Sequence, residues 1–161
     1  RKADKDNPKG YYELESVKNL EKYMDKSWLN EYKGKAVKIV SLLLPALPLT
    51  YNYNVIFILR DLDEVLRSQK KMLTNRGLKS DNLNDGHLKE KYNDHLKFVE
   101  NYLNHRPQFN VLYISQSDIV NDVTTEVKRI DVFLGGGLNR AAMQTAVDES
   151  LYRNRGIRQQ I

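Results

Sequence analysis

The sequence predicts an α/β domain, a mainly parallel sheet layered between helices. Three observations carry that reading. Short runs that are apolar throughout, without alternation, recur at residues 36–43, 55–59 and 111–114, the pattern of strands buried on both faces. The stretches around them place apolar residues three and four apart, the helical period. The second and third strands are separated by helices and not by a tight turn, which calls for crossover connections and parallel pairing. At 161 residues the chain has the length of one domain, read here as residues 1–161.

The elements follow in order. Residues 1–12 are polar and turn-rich, with Pro8 and Gly10 two apart. The chain opens at Arg1 without a Met, and a fragment or a processed chain is the expectation. From Glu13 to about Tyr32, Leu14, Val17, Leu20, Tyr23, Met24, Trp28 and Leu29 predict a helix that Gly34 closes. Residues 36–43 predict the first strand, ended by Pro45 and Pro48; residues 55–59 predict the second and strongest, and 111–114 the third. Helices are expected at 61–75 and 86–105, the latter with Leu88, Tyr92, Leu96, Val99, Tyr102 and Leu103 on one face. Further helices are expected at 117–121, 124–134 and 139–147, then a basic, irregular tail from Tyr152. The polar segment 75–85 is the best candidate for a mobile loop.

Composition excludes several classes. Hydrophobic residues are 40% and charged residues 29%, with a net charge of +5, which argues against an acidic disordered chain. There is no cysteine, so disulfides, cysteine-bound zinc and thiol nucleophiles are out. The longest apolar run, residues 36–49, contains Lys38, Pro45 and Pro48 and is too short to cross a bilayer. No signal peptide is visible, and a cytoplasmic setting is the expectation. His87, His95 and His105 lack metal-ligand spacing, and His95 beside Glu90 and Asp94 reads as part of a solvated helix face. The 10 tyrosines interleaved with basic residues admit nucleic-acid stacking, but Tyr11, Tyr23, Tyr92, Tyr102 and Tyr113 fall at apolar-periodic positions that suit packing. Trp28 and Tyr32, four apart, cover either the core or an acceptor pocket.

Ligands of open α/β sheets bind beyond the carboxyl ends of the strands. Arg60 leaves the strongest strand there. Asp61-x-x-Glu64 has capping-box spacing, and Ser68 follows on the second turn of the helix. A guanidinium fork, a hydroxyl and a helix start together suit a phosphate dianion. An ion pair of Arg60 with Asp61 or Asp63 is the alternative. Arg67, Lys70, Lys71 and Arg76 form a basic cluster on the same helix, either solvated or attracting an anionic cofactor.

The segment from Val55 through Arg60 and Ser68 to Leu73 resembles the 3′-phosphate-binding segment of the P-loop sulfotransferase family. Asn7-Pro8-Lys9-Gly10-Tyr11-Tyr12-Glu13 is similar to an early motif of its bacterial members. Val111–Ser115 with Asp118, residues 130–138 ending in Gly135-Gly136-Gly137, and Asp148–Arg155 resemble later segments, in the family's order. The resemblance implies a three-layer, P-loop NTPase-like architecture and sulfuryl transfer, without a required metal, from 3′-phosphoadenosine 5′-phosphosulfate to an acceptor hydroxyl or amine. It implies that Arg60 and Ser68 hold the 3′-phosphate, with Arg153 and Arg155 as a looser version of the family's basic cofactor loop. Three departures stand beside it. No glycine-containing phosphosulfate loop is present, and the three glycines follow a helix, where they form a cap. That loop and its strand are expected to be missing upstream. No His follows residues 36–41, where many eukaryotic members place a catalytic one. The basic tail lacks the fixed pattern. Glu13 is then the candidate base, or else a first-turn carboxylate favoured by the helix dipole. Lys9 faces the sulfate or solvent, and Lys38 reaches the site or snorkels outward. The chain as given is expected to be inactive and, with a strand missing, to self-associate through an unpaired sheet edge. The alternatives are a non-catalytic nucleotide-binding or regulatory module and a basic nucleic-acid-binding domain.

Overall fold

Val55, Ile56, Phe57 and Ile58 carry side chains that favour a pleated backbone, and the strand they form runs Tyr53–Leu59 (β1). Phe109–Ser115 (β2) pairs with it in parallel, Tyr53 opposite Phe109 and Leu59 opposite Ser115. The structure, a computed structural model, describes residues 3, 8–75, 77 and 85–152. Among these the sheet has two strands. A short helix, Glu15–Lys18 (α1), precedes it. Helices Leu62–Asn75 (α2) and Asp85–Asn104 (α3) make the crossover, and Gln116–Asn121 (α4), Val123–Phe133 (α5) and Arg140–Ala146 (α6) follow. Most of the expected loop at 75–85 lies outside the described residues.

Helix ends follow from local chemistry. Ser115, Asp122 and Asn139 accept from the N–H groups of Ser117, Thr125 and Ala142, capping α4, α5 and α6. At the end of α5, Gly135 N–H donates to Val132 O (3.1 Å) and Gly136 N–H to Asp131 O (2.7 Å). Gly135 has φ +96°, a conformation glycine adopts without a Cβ penalty. The glycine run is thus a helix cap, as its position after a helical pattern predicts. The buried Asp131 carboxylate accepts from Leu138 N–H (2.8 Å) and Arg140 Nε (2.6 Å), tying the turn to α6. These hydrogen bonds, the backbone one foremost, hold its pKa below the ordinary aspartate value.

The core gathers Leu20, Leu29, Leu44, Leu47, Val99, Leu103 and Phe109. Tyr53 stacks on Phe109 at 5.2 Å between centroids, and Tyr102 packs on the same ring at 5.8 Å. Tyr53 and Phe109 are the first residues of their strands, so this packing anchors the amino ends. The carboxyl end of β1 is open, with Ile58 and Leu59 45% and 38% exposed.

Two expected elements differ. The single helix over 13–32 is instead α1 and a separate 3-10 helix at Ser27–Tyr32. Asp25 explains the break: its carboxylate accepts from both the N–H (2.8 Å) and the hydroxyl (3.0 Å) of Ser27, local bonds that compete with the helix. Tyr23 and Met24, expected on the apolar stripe, are accordingly exposed. The strand over 36–43 is not formed. Residues 36–40 have no regular structure, and Ser41–Ala46 is a 3-10 helix containing Pro45. An extended run becomes a strand only beside a partner that takes its N–H and C=O groups, and neither β1 nor β2 pairs with it. The 3-10 turn instead buries Leu44, with Leu47 just beyond it, in the core, and leaves Val40 and Leu42 exposed.

Candidate functional site

Arg60 is the first residue beyond β1, and α2 begins two positions later. The acidic residues around it are all engaged elsewhere. Asp61 Oδ1 accepts from Glu64 N–H (3.0 Å), one half of the capping box. Asp63 accepts from Lys89 Nζ at 2.7 and 2.8 Å. Glu64, only 5% exposed, does not turn back to complete the box. Its two carboxylate oxygens accept from the Tyr152 hydroxyl at 2.9 and 2.8 Å. The ion pair that would make Arg60 a purely structural strand-end residue is therefore not formed. Its guanidinium is exposed and has no hydrogen-bond or ion-pair partner among the described residues.

Ser68 lies on the same strand–helix unit, ~9 Å along the axis from Leu62 at the usual rise. It is half-buried. A serine within a helix often donates back to a carbonyl one turn earlier, but Ser68 makes no such bond among the described residues. Parallel register brings Leu59 opposite Ser115, so Ser115 and Ser117, their hydroxyls 2.6 Å apart, belong to the same sheet edge as Arg60.

Lys9 and Glu13 stand elsewhere. Lys9 Nζ pairs with Asp148 at 2.8 Å. Glu13 lines a cleft of about 260 Å³ with Leu14, Val17, Lys38, Val40 and Leu43. Lys38 is exposed and lines that cleft with Glu13, its Nζ donating to Tyr11 O at 2.9 Å. No hydrogen bond or ion pair among the described residues joins Glu13 or Lys9 to Arg60 or Ser68. Arg153 and Arg155 lie outside the described residues.

The Lys9 ammonium, then the Ser150 hydroxyl, lowers the Asp148 pKa to about 2. An aspartate in the unfolded chain titrates near 3.9, so the folded state binds fewer protons between those values. The contact contributes stability above about pH 4 and loses it as the pH falls towards 2. Asp148→Asn is expected to flatten the acid limb of urea midpoint against pH in that window. An unchanged slope would show that the pair contributes nothing to folding.

Of the basic cluster on α2, Lys70 pairs with Asp85 (2.6 Å). Two pairings escaped the sequence reading. His95 is not on a solvated face; it is half-buried, with Nε2 2.8 Å from Ser41 Oγ. Glu64 and Tyr152 are 88 positions apart, too far for any spacing rule to pair them. Trp28 and Tyr32 meet edge to face at 5.7 Å, beside the core.

A parallel strand pair thus delivers to a helix start an arginine that is unpaired among the described residues, on an α/β unit. Residues 11–155 match the family described as Sulfotransferase domain, and the chain belongs to that sulfotransferase family. No curated protein and no solved structure matches it. Among the described residues no helix is long and apolar enough to cross a membrane, and no group of three or more His, Asp or Glu could hold a metal ion.

Proposed function

We propose that the domain binds 3′-phosphoadenosine 5′-phosphosulfate, with Arg60 and Ser68 on its 3′-phosphate, and serves sulfuryl transfer to an acceptor hydroxyl or amine. The supporting observation is the Arg60 guanidinium, without a counter-ion among the described residues although three carboxylates follow it within four residues. A fork of donors at a helix start is matched to a phosphate dianion. In the transfer the acceptor oxygen or nitrogen attacks sulfur in line, the bond from sulfur to the bridging oxygen breaks, and 3′,5′-adenosine bisphosphate departs. The acceptor proton passes to Glu13, whose cleft admits the acceptor. Lys9, Arg153 and Arg155 supply cations to the sulfate and the nucleotide.

The same reading sets β1 and β2 in a three-layer sheet of the P-loop type. It takes the 161-residue chain to be inactive by itself, since none of its segments carries a phosphosulfate loop. Among the described residues β1 and β2 each pair on one side only, and that unpaired sheet edge then makes two copies associate; a monomer at all concentrations in sedimentation would contradict that part.

Calorimetric titration with 3′,5′-adenosine bisphosphate and with adenosine 5′-monophosphate tests the donor site. A charge-assisted contact contributes ~1.5–3 kcal/mol, so the bisphosphate is expected to bind about tenfold tighter or better. Equal affinities would mean that the 3′-phosphate is not recognised.

A further inference from the structure

Parallel pairing ends with Leu59 opposite Ser115, so Arg60 and Gln116 are the next residues on their chains, both at the carboxyl end of the sheet. Arg60 brings donors that are unpaired among the described residues. Gln116 brings an acceptor in the same condition: its Oε1 is shielded from solvent and takes no hydrogen bond among the described residues. A buried carbonyl oxygen left unpaired is destabilising, and such groups are rare in folded proteins. The hydroxyls nearest in sequence do not supply the donor. Ser115 and Ser117 bond to each other at 2.6 Å, and Ser117 Oγ donates on to Asp118 Oδ1 at 3.4 Å. Gln116 is only half-buried as a residue, and the terminal torsion of a glutamine is soft, so its carboxamide turns towards an incoming donor at little cost. Ligands of parallel sheets approach from this end.

We infer that Gln116 is a specificity residue that accepts the 2′-hydroxyl of the nucleotide ribose and thereby selects a ribonucleotide over its 2′-deoxy analogue. The choice of donor follows from the chemistry of the ligand. The 2′-hydroxyl sits on the carbon next to the one that carries the 3′-phosphate, so it is the hydrogen-bond donor of the nucleotide nearest to that phosphate. Neighbouring strands lie about 4.8 Å apart, which puts a residue just beyond β2 within side-chain reach of a group beside the phosphate that Arg60 holds. A hydroxyl supplies the donor that Oε1 lacks. A carboxylate at this position would accept equally well but would repel the dianion, whereas a carboxamide accepts without charge. The inference rests on the reading of Arg60 and Ser68 as the 3′-phosphate site and adds to it a contact to the sugar.

Calorimetric titration of the unaltered chain and of Gln116→Met with 3′,5′-adenosine bisphosphate and with its 2′-deoxy analogue tests it. Methionine keeps the length of the side chain and removes the carboxamide. The unaltered chain is expected to bind the ribonucleotide about three- to tenfold tighter than the deoxynucleotide, the size of one neutral hydrogen bond. Gln116→Met should lose that preference by binding the ribonucleotide more weakly, while its affinity for the deoxynucleotide stays the same. Equal affinities of the unaltered chain for the two nucleotides, a comparison that needs no variant, would overturn the inference; the donor site would still stand if both bound tighter than adenosine 5′-monophosphate. A preference that survives intact in Gln116→Met would overturn it as well, since another group would then read the sugar. A chain that binds neither bisphosphate would remove the donor site, and this inference with it. The urea midpoint without nucleotide gives a second readout. Replacing an unpaired buried acceptor by an apolar group of similar shape should leave the midpoint unchanged or raise it. A lower midpoint would show that the carboxamide serves the fold and would count against a ligand role.

Discussion

Leu103→Ala is expected to destabilise the chain by about 2–5 kcal/mol, the range for truncating a buried leucine in a packed core. Leu103 is fully buried and belongs to the cluster with Leu20, Leu44, Val99 and Phe109. It lies near the end of α3, one position after Tyr102, whose ring packs on Phe109 and lies under the Arg106 guanidinium at 3.6 Å. These neighbours are braced by strand pairing and aromatic stacking and cannot collapse into the space left. Since a domain's whole stability is about 5–15 kcal/mol, a large part of the chain would unfold at modest denaturant. Phe98→Ala, at a position 55% exposed on the same helix, is the control, with an effect within about 0.5 kcal/mol. Equal urea midpoints for the two variants would mean that the core is not where the packing places it.

Arg60→Ala carries the largest expected functional effect. Removing one charge-assisted contact to a phosphate should weaken bisphosphate binding by a factor of about ten to a hundred. Stability should change little, because the side chain is exposed and unpaired among the described residues. That separation distinguishes a binding arginine from a strand-end ion pair. A structural arginine would give the opposite result, with lower stability and little change in affinity. Ser68→Ala removes a neutral donor from a half-buried position and should weaken binding less than Arg60→Ala does.

The parts that were legible in the sequence are those governed by local chemistry. The apolar runs at 55–59 and 111–114 fall within β1 and β2, and the helical stripes on either side of 76–84 became α2 and α3. Asp61 caps α2 as its spacing required, and the three glycines close α5. What was not legible depends on partners distant in the chain. Residues 36–43 have the composition of a buried strand, but composition supplies no neighbour to pair with, and they settled into an irregular segment and a 3-10 turn. The stripe from Leu14 to Leu29 has helical period, but Asp25 and Ser27 bond locally and divide it. At the candidate site, Arg60 and Ser68 were visible as a strand–helix motif. Whether Asp61 or Asp63 neutralises the arginine was not, because the answer lies in Lys89 on α3, 26 residues from Asp63. Lys9 and Asp148, and Glu64 and Tyr152, meet across most of the chain's length, and no spacing rule finds them.

Parallel calorimetric titrations of the unaltered chain and Arg60→Ala with 3′,5′-adenosine bisphosphate test most directly whether Arg60 holds a nucleotide 3′-phosphate. The predicted result is measurable binding by the unaltered chain, weakened about tenfold or more in a variant that remains folded. Equal affinity of the two folded proteins for the bisphosphate would contradict it.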